Sequence, residues 1–265
     1  MESQETANYR AGLLFGLAAH ACWGLMPLYV SRLLYVKPLE FLCHRIVWSC
    51  VLLVGMLWLT GKMGEMAHAL RQRTTRRMLI ISTILIGINW FVFLYGIASG
   101  QALQNSLGYY TNPLFNVLLG VLVLGERLRP GKWFALALAA SGLIYLMTAL
   151  GTVPWIAFGV ASSFAIYGLA RKLVPVDGLA GLSVETLLMT PLSAGYIGWL
   201  IAQGDAAFGN YGSASDALII FSGPATVVPL LCFVLAARRL PLTTLGFLQY
   251  IGPTMQLLTA VFVFG

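Results

Sequence analysis

Residues 78–98 read MLIISTILIGINWFVFLYGIA, a run of apolar residues that contains no charged side chain. A helix needs about 20 mainly apolar residues to cross the hydrocarbon core of a bilayer, and this run reaches that length. Arg76 and Arg77 come directly before it, as expected of basic residues that flank a membrane span. The run therefore predicts a transmembrane helix.

The composition of the whole chain agrees with this prediction. Of its 265 residues, 59% are hydrophobic and 9% are charged, and the mean hydropathy is +0.83. Soluble domains are about 45–50% apolar and about 25% charged, so a water-soluble globule is excluded. Disorder is excluded as well, because disordered segments lack the apolar residues that are abundant here. The chain is predicted to be an integral membrane protein in contact with the lipid bilayer.

Eight further apolar runs of similar length accompany the first. The nine predicted spans are 11–34, 38–60, 78–98, 104–125, 132–150, 153–170, 179–201, 217–237 and 243–265. They indicate an all-α polytopic membrane protein. Because the ninth run stops at Gly265 without a loop or a basic anchor, we expect that a tenth span is missing from this sequence.

The sixteen Lys and Arg residues predict how the spans are oriented. Such residues concentrate in the cytoplasmic loops of membrane proteins. With a cytoplasmic N-terminus, thirteen of them fall on the cytoplasmic side, Arg32 and Lys37 fall on the other side, and Arg45 lies within a span. This bias explains the formal net charge of +7, and no nucleic-acid partner is expected. We predict a multi-pass protein of the bacterial inner membrane.

Two stretches of the chain resemble each other. Residues 106–113 read SLGYYTNP and residues 244–253 read TLGFLQYIGP, so that the element Tyr110-x-x-Pro113 recurs 140 residues later as Tyr250-x-x-Pro253. The chain then divides into one unit over 1–150 and a second over 151–265. Because the first unit holds five spans, an odd number, the second, which would also hold five with the missing tenth span, enters the membrane from the opposite side. Inverted repeats of this kind are typical of secondary transporters with a central site.

Several motifs resemble those of a known family. They are Trp23-Gly24, Glu40 with His44-Arg45-x-x-Trp48-Ser49, Asn89-Trp90, Leu124-Gly-Glu-Arg127 and the two stretches quoted above. The sequence resembles the RarD-type permeases of the EamA family, in the drug/metabolite transporter superfamily. The resemblance implies ten spans in two inverted five-helix repeats. It also implies export of metabolites or drug-like compounds, with a link to chloramphenicol.

Span two carries ionisable side chains at membrane depth, where they are costly and usually face a cavity or a partner. Glu40, His44 and Trp48 recur at a spacing of four and share one helical face, with Arg45 beside them. One interpretation is a cationic, aromatic patch that binds an anionic or zwitterionic substrate. The other is a buried Glu–His–Arg cluster that holds helices together. The sequence leaves both interpretations open.

Spans four and nine carry matching polar stripes. Tyr109, Asn112 and Asn116 follow one another at spacings of three and four, and Gln249 and Gln256 lie 140 residues after Tyr109 and Asn116. Polar side chains at such positions can simply form hydrogen bonds between helices. Their occurrence in both repeats favours the walls of a substrate cavity instead.

The other candidate residues are aromatic, amide or proline side chains. Aromatic rings can stack on a substrate, and a proline can kink a helix and act as a hinge. The remaining predicted substrate-binding residues are Trp23, Asn89, Trp90, Tyr110 and Tyr250, and the predicted hinges are Pro113 and Pro253. Spans one to four and six to nine are expected to line the cavity. Span five has no charged or amide side chain within 133–150 and is expected to pack outside it.

Glu40 and Glu185 are predicted coupling residues, one in each repeat. An acidic side chain within a span can carry a proton across the membrane. Glu185 has no cation within its own span and is the better candidate of the two. Transport that is not coupled to protons stays open as an alternative.

The motifs of other function classes are absent from the sequence. It has no Gly-x-x-x-x-Gly-Lys-Ser/Thr loop, no His-Glu-x-x-His and no Gly-x-Ser-x-Gly, and its four cysteines lack the spacing of a metal site. We therefore predict a secondary transporter for a small-molecule substrate that is not an enzyme and needs no metal or cofactor. The alternative is a membrane-embedded enzyme or a channel-like sensor acting on a small apolar solute. A homodimer is compatible with the sequence.

Overall fold

The computed structural model describes residues 2–151 and 153–263. Phe264 and Gly265, the last two residues of the ninth predicted span, lie outside the described residues, as do Met1 and Thr152. All regular structure within the described ranges is helical, which confirms the predicted all-α class. The helices are α1 (Glu2–Val30), α2 (Pro38–Leu59), α3 (Met63–Arg71), α4 (Arg73–Ala98), α5 (Ala102–Leu122), α6 (Pro130–Leu150), α7 (Trp155–Leu173), α8 (Gly178–Ala202), α9 (Ser213–Arg239), α10 (Leu242–Leu248) and α11 (Ile251–Val263), with a 3-10 turn at Ser31–Leu33.

Five of the helical segments are long and apolar enough to cross a membrane. They are Gln4–Leu33, Pro38–Leu59, Arg73–Ala98, Gly178–Ala202 and Ser213–Arg239, and they coincide with predicted spans one, two, three, seven and eight. The chain is therefore a multi-pass helical membrane protein. The number of nine spans and their inverted repeat stay predictions.

Two helical segments differ from the predicted spans. Helix α1 begins at Glu2 rather than near residue 11, because the polar residues before Ala11 include neither Pro nor Gly and let the helix continue. Helix α3, which was not predicted, is a short segment between spans two and three. Its Ala69 is buried and packs with Met66 and Leu70 in a small apolar cluster that includes Val174 and Val184.

The ninth predicted span is interrupted between α10 and α11. Gln249 and Tyr250 form a turn there, four and three residues before Pro253. Proline lacks an N–H group, and its ring collides with the carbonyl group four residues earlier, which breaks a helix at this place. Helix α5, by contrast, continues through Pro113. The two prolines that the repeat pairs therefore act differently on their helices.

Glycine allows α2 and α9 to pack closely. A Cβ atom on Gly223 would lie 2.7 Å from the carbonyl carbon of Trp48, so no larger residue fits without moving one of the two helices. Small residues at helix crossings are typical of membrane proteins, because association there depends on close packing. This crossing holds α2, the helix that carries Arg45, in its place.

Gly223→Val is therefore expected to lower the midpoint of thermal unfolding in detergent by about 5 °C or more, because overpacking costs about 1–3 kcal/mol or more. The matched control is Gly198→Val in α8, where a Cβ atom would have no neighbour within 4 Å. Equal midpoints for the two variants would contradict the close crossing. Size-exclusion chromatography with fluorescence detection after heating measures both.

Helix α6 packs at the edge of the bundle. Its main neighbour among the described elements is α5. Large apolar side chains along it are widely exposed, for example Phe134, Leu138 and Tyr145. Such a surface suits contact with lipid chains, in agreement with the expectation that span five packs outside.

Candidate functional site

A cavity of about 410 Å³ lies between the helices. This volume falls within the range of about 300–1,000 Å³ that is usual for small-molecule sites. Nine of the predicted site residues line it: Trp23, Arg45, Asn89, Trp90, Tyr109, Asn112, Gln249, Pro253 and Gln256. Helices α1, α2, α4, α5, α7, α9 and α11 all contribute to its wall. Spans one to four, six, eight and nine are thus brought together as predicted.

The cavity differs from the prediction in one helix. Helix α8, the predicted span seven, supplies none of the lining residues, although it was expected to do so. It packs against α2 and α4 on their far side, so these two helices separate it from the cavity. Helix α6 supplies none of them either, as expected for span five.

Aromatic rings form the inner wall of the cavity. The rings of Trp23 and Phe164 meet edge to face with their centroids 5.7 Å apart. Phe233 of α9 lies against both, at 5.8 Å from Trp23 and 5.0 Å from Phe164. Aromatic pairs at such distances stabilise a fold beyond the area that they bury. The cavity therefore has a preformed apolar surface on which a flat ligand can rest.

Arg45 is the cationic residue that faces this aromatic surface. Its Nε atom donates a hydrogen bond to Oγ1 of Thr226 over 2.9 Å. Its guanidinium carbon lies 5.5 Å from the centroid of the Trp90 ring and 5.8 Å from that of Phe41. Both distances suit cation–π attraction. One hydrogen bond and two rings thus orient the guanidinium group toward the cavity.

The amide side chains of the cavity link helices to one another. Nδ2 of Asn89 donates to the carbonyl oxygen of Val160, 2.8 Å away, and Nε2 of Gln256 donates to that of Trp23, 3.0 Å away. Asn116 is fully buried behind the cavity, and its Nδ2 donates to Oε1 of Gln249 over 2.7 Å. The polar stripes of spans four and nine therefore meet, and they both line the cavity and fix its walls.

Glu40, His44 and Trp48 lie away from the cavity. Oε1 of Glu40 accepts a hydrogen bond from the backbone N–H of Ala207 over 2.6 Å and lies 3.8 Å from Nε2 of His44. The rings of His44 and Trp48 pack against Phe208. Consecutive helical residues are about 100° apart, so Arg45 points to a different face from this stripe. The stripe thus contacts the loop after α8, while Arg45 alone of the four reaches the cavity.

Glu185 is buried in a polar cluster between α4, α7 and α8. Its Oε1 atom lies 3.4 Å from Nη1 of Arg171 and accepts a hydrogen bond from Ser82 over 2.5 Å, and its Oε2 atom accepts one from Tyr167 over 3.1 Å. The cation that was missing from its own span comes from the neighbouring helix. Glu185 lies seven residues after the start of α8, whereas Glu40 lies two residues after the start of α2. The two carboxylates are therefore not at equivalent depths.

The three remaining predicted residues contact other parts of the protein or its surface rather than the cavity. Pro113 lies within α5, where its carbonyl oxygen lies against Gly246. Tyr110 is partly exposed on the outside of α5. The hydroxyl group of Tyr250 is buried without a hydrogen-bond partner in the described part of the chain. None of these three lines the cavity.

Sequence reasoning missed several residues that line the cavity. His20 is one of them, and its ring centroid lies 5.3 Å from that of Trp23. Phe41, Phe93 and Phe164 are also part of the wall. Phenylalanines occur in most of the spans, so nothing in the sequence distinguishes these three. For His20, its place in the middle of an apolar run was the available signal.

The comparisons with known proteins agree with this architecture. The EamA-like transporter family matches residues 10–148. Protein RarD of Escherichia coli (strain K12) is 38% identical over 265 residues, which cover 100% of this chain and 88% of that protein. The chain belongs to the EamA family. Within this family it is a RarD-type permease, as the motifs of the sequence predicted.

Other proteins that are similar to this EamA-family chain are described as transporters or share its fold. A protein of Vibrio cholerae serotype O1, described as an uncharacterized transporter, is 43% identical over 97% of this chain and 85% of its own length. One crystal structure has the same fold, with a TM-score of 0.71, over 97% of this chain and 89% of that protein. Its sequence identity is 21%, so it supports the fold alone.

Glu126, within the Leu124-Gly-Glu-Arg127 motif, joins two parts of this EamA chain. Its two carboxylate oxygens accept hydrogen bonds from the backbone N–H groups of Leu242 and Thr243, over 2.6 and 2.8 Å. A carboxylate at a helix N-terminus satisfies free N–H groups and complements the helix dipole. The glutamate of this motif thus fixes the start of α10.

Proposed function

We propose that this chain is a secondary transporter that moves small organic metabolites or drug-like compounds across the bacterial inner membrane by alternating access. The observation that carries the proposal is where the cavity lies. It is lined by Leu33, Leu34 and Val36, which lie in the connection between α1 and α2, so it lies toward the end of the bundle that carries Arg32 and Lys37. Alternating access needs a central site that is closed toward one side at a time.

The other end of the bundle is tightly packed. We call the part formed by residues 122–132, 171–178 and 236–244 the basic end. There Nζ of Lys172 donates hydrogen bonds to the carbonyl oxygens of Ala237 and Leu240, over 2.9 and 2.5 Å. Buried apolar residues surround this contact, Leu242 and Leu245 among them. A path from the cavity through the basic end would require these contacts to separate, which supports a state closed on that side.

The proposed topology has nine spans in two inverted repeats, 1–150 and 151 onward, with a cytoplasmic N-terminus. The starts of the helices support it, because α2 begins at Pro38 and α8 at Gly178, the same 140 residues apart as Tyr110 and Tyr250. In this orientation the basic end faces the cytoplasm, as the distribution of Lys and Arg suggests. The cavity would then be accessible from the other side of the membrane.

A counterflow assay in proteoliposomes tests the proposal. Liposomes are loaded with one member of a metabolite panel and diluted into trace labelled compound of the same kind. A transporter is expected to concentrate label inside loaded vesicles transiently and not inside empty ones, since it exchanges solute one molecule at a time. Mass spectrometry of the recovered solute should find it chemically unchanged. Uptake that never exceeds equilibrium would favour a channel, and a modified solute would favour an enzyme.

A further inference from the structure

Arg171 and Arg45 both lie inside the helix bundle, and within the described residues only Arg171 has a carboxylate partner. Arg171 in α7 is paired with Glu185 of α8. For Arg45 in α2, the described residues 2–151 and 153–263 offer no carboxylate within 4.0 Å. Glu40 on the same helix accepts hydrogen bonds from the backbone of Ala207 and Phe208 instead. A positive charge within a bilayer is costly, so its counter-charge is expected to be nearby when the protein works.

Arg45 still has donors to offer a ligand. Its Nε atom is bound to Thr226, but its terminal nitrogens donate no hydrogen bond to the described part of the protein. Arg45 lines the cavity, and these nitrogens are not among the buried polar atoms that lack a partner, so they reach the open space. A planar guanidinium group binds a carboxylate through two parallel hydrogen bonds. Phe41 and Trp90 hold the group in place.

The rest of the cavity limits the kind of anion that fits. Its described lining residues include neither Asp nor Glu, so nothing there would neutralise the ammonium group of a zwitterion or a cation. Aromatic and aliphatic side chains dominate the wall, among them Trp23, Trp90 and Phe164. Oδ1 of Asn89 accepts no hydrogen bond from the residues that the structure describes, so it can accept one from a ligand, while its Nδ2 atom donates to Val160 and Ser163.

We infer that the ligand of this cavity is an amphipathic organic anion, an aromatic or similarly apolar body with one carboxylate that pairs with Arg45. The carboxylate supplies the counter-charge that the protein lacks at Arg45, and the apolar body rests on the rings of Trp23 and Phe164. Zwitterions and amines of the same shape bind more weakly, because the cavity has no acidic partner for an ammonium group. The inference rests on the proposed function and names its substrate class.

Four probes that share a phenyl ring and a three-carbon chain test the charge preference. They are 3-phenylpropanoate, its neutral amide, 3-phenylpropylamine and phenylalanine. Binding to the purified full chain in lipid nanodiscs is measured by isothermal titration calorimetry. We expect 3-phenylpropanoate to bind at least about tenfold more tightly than the other three. The amide and the amine lose the charged hydrogen-bond pair with Arg45, and phenylalanine keeps it but buries an ammonium group that has no acidic partner.

Variants of Arg45 show whether this residue causes the preference for the carboxylate. In Arg45→Gln the carboxylate is expected to bind no more tightly than the amide, and in Arg45→Lys it keeps part of its advantage, because the charge remains but the planar fork is lost. Arg32→Gln removes an exposed cation outside the cavity and should leave the binding of all four probes unchanged. If Arg45→Gln does not fold, the reduced preference for the carboxylate in Arg45→Lys is the test of the role of Arg45.

Three results would overturn the inference: equal or tighter binding of the amide or the amine, an unchanged preference in a folded Arg45→Gln protein, or no binding of the carboxylate to the unchanged protein. The proposed function fails separately. If 3-phenylpropanoate binds as expected but is never taken up in counterflow, the site is a binding site and the protein is not its transporter. If neutral compounds are transported without charge preference, transport stands and the anionic substrate does not.

Discussion

Arg45→Ala is expected to reduce counterflow of the substrate by at least about 100-fold in a protein that still inserts and folds. Truncating one partner of a charged contact costs about 2–5 kcal/mol, and every 1.4 kcal/mol is about tenfold. Folding should persist, because Arg45 has no carboxylate partner in the described residues that its removal would leave unpaired. Uptake into proteoliposomes and thermal unfolding in detergent are measured on the same preparation.

His44→Ala separates the two interpretations of span two. His44 packs against Phe208 and lies outside the cavity wall, so this variant should lose thermal stability and keep most of its counterflow activity. Arg32→Ala, at an exposed position near the same end, serves as the control for loss of a cation. Normal transport by folded Arg45→Ala protein would reduce Arg45 to a structural role. Equal losses in the two α2 variants would mean that substrate contacts the whole stripe.

The sequence predicts the helices well because the membrane simplifies the problem. A run of about 20 apolar residues can cross a bilayer only as a helix, so the span over 78–98 is predictable before any packing is known. The break between α10 and α11 follows from Pro253 in the same way. The continuous course of α5 through Pro113 does not, since neighbouring helices decide whether a proline interrupts a helix or only bends it.

The sequence predicts a site residue when its side chain is energetically costly within a membrane, and it does not predict one whose residue type occurs in most spans. Arg45 is conspicuous, because a charge within a span requires an explanation. Helical spacing also groups Tyr109 with Asn112, and both reach the cavity. Spacing does not reveal that Trp48 faces a loop, or that Phe164 lies beside Trp23, because these contacts depend on how each helix is rotated against its neighbours.

The sequence also does not predict which side chains on neighbouring helices form ion pairs. Glu185 looked unpaired within its own span, and the ion pair with Arg171 joins two helices whose rotation no spacing rule provides. This pair changes the meaning of the coupling prediction. A proton that reaches Glu185 would remove the negative charge that balances Arg171. The buried contact between α7 and α8 is then the element that protonation weakens.

Glu185→Gln is therefore expected to remove the dependence of transport on a pH gradient while exchange without a gradient continues. Glutamine keeps the shape and can still bond to the hydroxyl groups of Ser82 and Tyr167, with its carbonyl oxygen as acceptor and its NH2 group as donor, but it cannot take up or release a proton. Uptake with and without an imposed gradient should differ by less than about twofold in this variant, and counterflow should stay within about tenfold of the unchanged protein. Glu65→Gln removes a half-exposed carboxylate in α3 and is the control.

Glu185→Gln leaves Arg171 without its counter-charge. Breaking a buried ion pair in this way lowers the free energy of unfolding by about 3–5 kcal/mol, so the single variant is expected to be less stable. The double variant Arg171→Gln with Glu185→Gln removes both charges and leaves no uncompensated cation, so it should unfold at a higher temperature than the single variant. Coupling must be absent from the double variant as well, since neither glutamine titrates. A pH response that survives in either folded protein would exclude Glu185 from coupling and leave the ion pair as a contact that only holds α7 against α8.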